Sequence, residues 1–226
     1  MKTASIVLAP FNNNEAFKKV FLQVLTKTNF NFNELELIII DNNINEENIL
    51  DIKKFLELYT TDYPIKYYNN RNNYQLAGAT NKAIELSDSK WFVYLCSNDT
   101  YIYHNDWLKS MTEGLSDDDY TKGFRIGGTI AHWPNFLPNP KDHVHVQGGI
   151  FIAFTEYMKN NKYSTKFPFS FMDTNHSAHC IKQGFKLKHI ASVFSSMATV
   201  NDRIHQENKT SNKYYVTHLH GNYLIK

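Results

Sequence analysis

Two short polar runs carry residue types from which chemistry at a strand end is built. Ser97-Asn98-Asp99-Thr100 follows the apolar run Trp91 to Leu95, and Asp41-Asn42-Asn43 follows Leu37 to Ile40. A carboxylate at the end of a buried strand is held rigidly and faces the crevice beyond the sheet. Mn²⁺ or Mg²⁺ takes oxygen ligands and keeps positions open for phosphate oxygens. Asp99 would supply one such oxygen and Asn98 a second, neutral one. The plain alternative is a strand-end turn, because Asn-Asp-Thr is good turn chemistry. The turn after the first apolar run reads Ala9-Pro10-Phe11-Asn12-Asn13-Asn14 and holds no glycine. That excludes the Gly-x-Gly-x-x-Gly cradle of dinucleotide folds, and no Gly-Lys-Ser/Thr of a P-loop occurs. A diphosphate bound here would need another source of positive charge, and a metal is the alternative.

The histidines raise a zinc reading: His143-x-His145, His176-x-x-His179-Cys180 and His218-x-His220. No cysteine pair accompanies them, so a structural zinc site is not the expectation. Cys96 and Cys180 each lie in an apolar stretch and read as two buried thiols in a reducing compartment.

The elements that must position these residues alternate between two periods. Ser5 to Ala9, Glu36 to Ile40, Ile65 to Tyr68 and Trp91 to Leu95 read as short buried strands. Between them, Glu15 to Thr26, Glu46 to Tyr59 and Leu76 to Leu86 place apolar residues at helical spacing, with Asn14 as a plausible N-cap of the first. That alternation predicts an α/β fold, a mostly parallel sheet flanked by helices. The strand ends carry Pro10 to Asn13, Asp41 to Asn43, Asn69 to Gln75 and Ser97 to Thr100, all polar. The second half is less regular. Gly123 to Ile130 and Val146 to Phe154 read as strands, Ala131 to Val144 as a loop, and Glu156 to Lys162 and Asp173 to Gln183 as helices. Trp91, Phe92 and Phe151 read as core. Residues 201–226 are polar with scattered aromatics and carry no assignable pattern.

At 226 residues, with 42% hydrophobic and 15% aromatic side chains, the chain is long enough for one α/β domain. Its 24 basic and 22 acidic side chains nearly balance, which gives no sign of a nucleic-acid partner. No apolar run approaches a membrane span, and Ile6 to Ala9 is too short for a signal peptide. A cytoplasmic protein without a transmembrane segment is the expectation.

Four stretches in order resemble the inverting family 2 glycosyltransferases of the GT-A fold, over Ala4 to about His189. Ser5-Ile6-Val7-Leu8-Ala9-Pro10-Phe11-Asn12 is similar to that family's first strand and nucleotide loop, and Ile38-Ile39-Ile40-Asp41-Asn42-Asn43 to its second strand. Asn73-Tyr74-Gln75-Leu76-Ala77-Gly78-Ala79-Thr80-Asn81 resembles its third-helix signature. Ser97-Asn98-Asp99 falls where the family keeps a metal-binding Asp-x-Asp.

The resemblance implies a single GT-A-like domain over residues 1–226. Residues 1–100 would form a nucleotide-sugar-binding half, 101–200 an acceptor-binding half, and 201–226 a C-terminal extension. It implies a UDP-, dTDP- or GDP-sugar donor, a glycan or lipid-linked acceptor, and a divalent cation. Ala9, Pro10, Phe11, Asn12, Asp41, Gln75 and Asn98 would contact the nucleotide sugar, and Asp99 the metal. Gly148 and Gly149 would let a sugar approach the backbone, although a bulge explains them as readily. Asp173, at a helix start, stands where the family has its general base; an N-cap is the plain reading of that position. Trp133 is a candidate for stacking on an acceptor sugar. The chain departs from the pattern in three places. Asn98 replaces an acidic partner, and Gln75 stands where many relatives have glycine or a basic residue. Ser192 to Ser196 lacks the late histidine ligand, for which His205, His218 and His220 remain candidates. Two rivals follow: a nucleotide-sugar-binding module of the same fold without turnover, and a nucleotidyltransferase, which would want a glycine-rich basic loop after the first strand.

Overall fold

The computed structural model describes residues 2–70, 75–97, 100–132, 144–165, 172–190 and 194–196. Strand β1 (Lys2–Leu8) leads into helix α1 (Asn14–Lys27), whose Phe17, Val20, Phe21, Val24 and Leu25 are buried on one face. The N-cap of α1 is Asn13, one residue earlier than the spacing suggested; its side-chain oxygen accepts from the Ala16 amide at 3.1 Å. Asn14 has a different task. Its amide donates to the Asn48 carbonyl at 2.9 Å and to Asp51 at 2.7 Å, which ties α1 to the next helix. Strand β2 (Leu35–Asp41) is buried along its whole length, as a strand covered on both faces must be. Helix α2 (Glu46–Glu57), strand β3 (Ile65–Asn69), helix α3 (Gln75–Leu86) and strand β4 (Ser89–Leu95) complete the regular half.

The second half runs β5 (Thr100–Ile102), α4 (Trp107–Gly114), α5 (Asp117–Thr121), β6 (Phe124–His132), β7 (Val144–Phe154), α6 (Thr155–Asn160), α7 (Met172–Lys182), β8 (Lys186–His189) and β9 (Phe194–Ser196). The main sheet has the order β3-β2-β1-β4-β7-β6-β8. Strands β1 to β4 are mutually parallel and β8 is parallel to β6, but β7 is antiparallel to both β4 and β6. The sheet is mostly parallel as expected, with β7 alone running against the other strands. A short second sheet pairs β5 with β9 and sets Ser196 opposite Thr100.

The ladder between β6 and β7 breaks where Gly128 pairs with Phe151 and Ile130 with Val146, leaving Thr129 alone opposite the run Gln147 to Ile150. The bulge reading of Gly148-Gly149 therefore holds. At the amino ends of the strands, buried Glu36 accepts from the Ser5 hydroxyl and from the Asp88 amide at 2.7 Å, and pairs with Lys66 at 2.7 Å. At their carboxyl ends the polar runs come together.

Candidate active site

Asp41 closes β2 and is fully buried. Burying a carboxylate is costly unless its oxygens are partnered, and both are. One accepts from the Asn43 backbone N–H at 2.9 Å and its side-chain amide at 2.7 Å; the other accepts from the Tyr67 hydroxyl at 2.6 Å. Burial, with the Asp41 carboxylate adding to it, pushes the Tyr67 hydroxyl far above the ordinary tyrosine range, so it stays a donor. Asn43 also accepts from the Asn12 amide at 2.8 Å, and Asn12 sits in the left-handed region (φ 53°) that asparagine tolerates well. The Asn42 amide donates to the Pro10 carbonyl at 3.0 Å, and the Asn70 amide to the Asp41 carbonyl at 2.8 Å. The ends of β1, β2 and β3 are thus one hydrogen-bonded unit. Ala9 and Pro10 are buried within it, Phe11 is half-buried and Asn12 is exposed.

Asp173 lies on the other side of β4. It falls inside the first turn of α7 rather than ahead of it, and accepts there from the Thr174 N–H at 2.8 Å through one oxygen. The other oxygen accepts from the Gly148 N–H at 3.0 Å, with the His145 ring nitrogen 4.0 Å away. A Cβ on Gly148 would meet the Asp173 Cβ at 3.0 Å, whereas one on Gly149 would meet nothing within 4 Å. Glycine at 148 thus permits the close approach of the carboxylate, and at 149 it leaves open space. The Asp173 side chain is a quarter exposed, so it is anchored yet open to solvent.

Behind Asp173, one helical turn on, lies the His176 ring. It is buried and stacked on Tyr163 at 4.2 Å between centroids with 23° between planes. Burial, with His179 adding to it, holds His176 neutral and lowers its pKa to about 4. Burial and then the nearby Asp173 carboxylate push the Tyr163 hydroxyl well above its ordinary range. His179 is exposed and meets Gln183 at 3.1 Å, so the His176–Cys180 stretch does not converge as a zinc site would. Among the described residues no three His, Cys, Asp or Glu side chains come together as a metal site. Cys180 is buried as expected, but Cys96 is only half-buried.

The two sides meet through backbone. The Cys96 N–H, just past β4, donates to the Gly149 carbonyl at 2.7 Å, and the N–H of the adjacent residue, Gly148, holds Asp173. Asn98 and Asp99 lie outside the described residues, as do Trp133, His143, His205, His218 and His220; Gln75 opens α3, with only its backbone described. Beside Asn98, the Ser97 hydroxyl is buried with no hydrogen-bond partner among the described residues. With the amide and carboxylate that follow in sequence, the donor types on offer are hard oxygens, which fit Mn²⁺ or Mg²⁺ rather than a soft metal. Tyr67 and Tyr163 escaped the sequence reading, and His176 entered it only within the zinc reading. Tyr67 lies two residues before the polar strand end, a signal that could have been used, whereas nothing marks Tyr163.

A sheet of this order, with polar ends on β1 and β2 and a bulge in β7, defines the class: a GT-A-like nucleotide-diphospho-sugar transferase fold. The chain belongs to glycosyl transferase family 2, whose family model matches residues 5–179. Among solved structures it resembles the mannosyltransferase PcManGT from Pyrobaculum calidifontis, in complex with GDP-Man and Mn²⁺. That match has a TM-score of 0.67 at 12% identity and covers 84% of this chain and 55% of that one. It also resembles S. aureus TarS 1-349, with a TM-score of 0.63 at 14% identity over 86% of this chain and 59% of that one. The same protein in complex with UDP-GlcNAc matches with a TM-score of 0.58 at 14% identity, over 89% of this chain and 62% of that one. The chain therefore spans less than two thirds of the length of these structures. Among the described residues, no helix is long and apolar enough to cross a membrane.

Proposed function

We propose that this chain is a single glycosyltransferase domain that moves a sugar from a nucleoside-diphosphate sugar to a hydroxyl acceptor with inversion. Residues 1–100 bind the donor, 101–200 the acceptor, and 201–226 extend beyond them; the protein works in the cytoplasm on a glycan or lipid-linked acceptor. Asp41 and the Ala9–Asn12 turn hold the nucleoside. Asn98 and Asp99, with Ser97 beside them, would hold a divalent cation, which when bound offsets charge on the diphosphate leaving group. Asp173 takes the acceptor's proton as its oxygen attacks the anomeric carbon, a contribution of about two to four orders of magnitude. Gly149 leaves room for the sugar beside that carboxylate.

One observation carries the reading. The end of β4 and the carboxylate of Asp173 grip consecutive residues of β7, through Cys96 to Gly149 and Gly148 to Asp173. That puts a candidate base beside the strand end from which Asn98 and Asp99 follow. The nucleotide sugars in PcManGT and TarS support the donor class, and the Mn²⁺ in the first supports the metal.

Purified protein given UDP-GlcNAc, GDP-Man or a dTDP-sugar with Mn²⁺ is expected to release nucleoside diphosphate, and chelation to suppress it. Asp173→Asn should abolish transfer while donor affinity, read by calorimetry, is kept. Undiminished transfer by this variant refutes the base assignment. The lone carboxylate of Ser97-Asn98-Asp99 favours a second reading, a sugar-nucleotide-binding module without turnover. Donor binding with no release under any metal would decide for it.

A further inference from the structure

We propose that Asn81 is a positioning residue for Asp173, acting across the molecule through Tyr163 and His176. The inference rests on the reading of Asp173 as the base and adds what holds its helix in register. Asn81 is on α3, in the donor-side half of the fold, and its side chain grips one residue of the loop after α6 at both ends. Its amide nitrogen donates to the Tyr163 carbonyl at 2.9 Å, and its carbonyl oxygen accepts from the Tyr163 N–H at 2.8 Å. A primary amide that satisfies both polar groups of a single residue fixes that residue's position and rotation together.

The same loop is stitched on both sides. Lys162 reaches Glu85 of α3 at 2.7 Å, and Asn161 accepts from Gln183, just past α7, at 2.7 Å. Tyr163 itself is buried; its ring lies against the His176 ring and packs on Phe151 of β7 at 6.3 Å. His176 follows Asp173 by three residues, the spacing that puts two side chains on one helix face. The carboxylate is close enough to Tyr163 to contribute to holding its hydroxyl un-ionised. The strap of residues 161–163 therefore sets α7 against α3 directly behind the Gly148–Asp173 contact. A displacement of about 1 Å in a reacting group costs about 100-fold in rate, so the strap decides how well Asp173 meets the acceptor.

The test uses the full chain and two readouts, one of them independent of turnover. The first is hydrogen exchange of the Gly148 amide, which Asp173 protects. The second is kcat for hydrolysis of UDP-GlcNAc or GDP-Man with Mn²⁺, water taking the acceptor's place. Asn81→Ala is expected to speed Gly148 exchange about tenfold and to lower kcat by about 10- to 100-fold, with donor affinity and KM unchanged. Asn81→Asp, which keeps the bond from the Tyr163 N–H, should fall between that variant and wild type. At the next link His176→Ala should reproduce the loss, and His176→Phe, which keeps a ring on Tyr163, should restore Gly148 protection. Unchanged Gly148 exchange in a folded Asn81→Ala or His176→Ala protein overturns the proposal. Full hydrolysis by Asp173→Asn would instead overturn the reading beneath it.

Discussion

Asp173 is anchored by two backbone N–H groups, and the second of these depends on a residue without a side chain. Gly148→Ala sets a Cβ 3.0 Å from the Asp173 Cβ and 3.2 Å from its carboxylate oxygen, so the two must part by a few tenths of an ångström and the Gly148–Asp173 contact is disturbed. The variant should keep its donor affinity and lose kcat by about 10- to 100-fold, whereas Gly149→Ala, whose Cβ meets nothing, should fold as wild type. Equal kcat in Gly148→Ala and wild type would remove the contact from the mechanism. His176 gives a pH signature. Its folded pKa of about 4 lies below the ordinary 6.5, so the unfolded chain binds a proton between those values that the folded chain refuses. Stability contributed by this residue is full above about pH 6.5 and is lost as pH falls toward 4, by about 3 kcal/mol in all. Urea unfolding at pH 7 and pH 4.5 should show a smaller acid loss in His176→Phe than in wild type, and parallel losses would contradict the assignment.

The elements divide into those whose pattern is local and those that are defined by what they meet. Strands β1, β2 and β4 and helices α1 to α3 were legible because a buried parallel strand is apolar throughout and a covering helix is apolar at a period of 3.6. Asp41 and Asp173 were legible for a related reason: each is a carboxylate at the end or start of such an element. The antiparallel course of β7 could not be seen, since an apolar run has no direction. Strands β5 and β9 are three residues each, too short for a period. Asn81 and Tyr163 lie 82 positions apart, and no one-dimensional pattern joins an amide on a helix to a loop at that separation. The brace at the amino ends of the strands was missed likewise, although Glu36 is the one charge in β2 ahead of Asp41 at its end. Its carboxylate is 3% exposed while its partner Lys66 is 37% exposed. Lys66→Met should therefore cost about 2 kcal/mol, less than a fully buried pair, because the solvated side of the lysine is already screened. Chemical denaturation measures this; a loss under about 0.5 kcal/mol, the range of an ordinary surface change, would mean that Ser5 and the Asp88 amide suffice.

At the scale of the molecule the proposed donor and acceptor halves share one sheet. Strand β4 pairs with β1 on one edge and β7 on the other, with Trp91 opposite Phe154 and Leu95 opposite Ile150. Phe92, Tyr94 and Phe151 pack across that joint, Tyr94 and Phe151 stacked at 5.5 Å. A fragment of residues 2–102 would end with the β4 edge unpaired and those rings exposed, a template for aggregation. The donor half is thus not expected to fold alone, and the full chain should unfold in one step. Far-UV circular dichroism and tryptophan fluorescence, reporting on backbone and on the rings of Trp91, Trp107 and Trp133, should trace coincident urea transitions. On the proposed function, donor binding should then stabilise the proposed acceptor side as well. UDP-GlcNAc or GDP-Man with Mn²⁺ at about 100 times its Kd should add about 2.7 kcal/mol and move both probes together. A biphasic curve in which the nucleotide sugar shifts only one phase would show that the halves fold apart, and coupling between α3 and the helix of Asp173 would then have no rigid path.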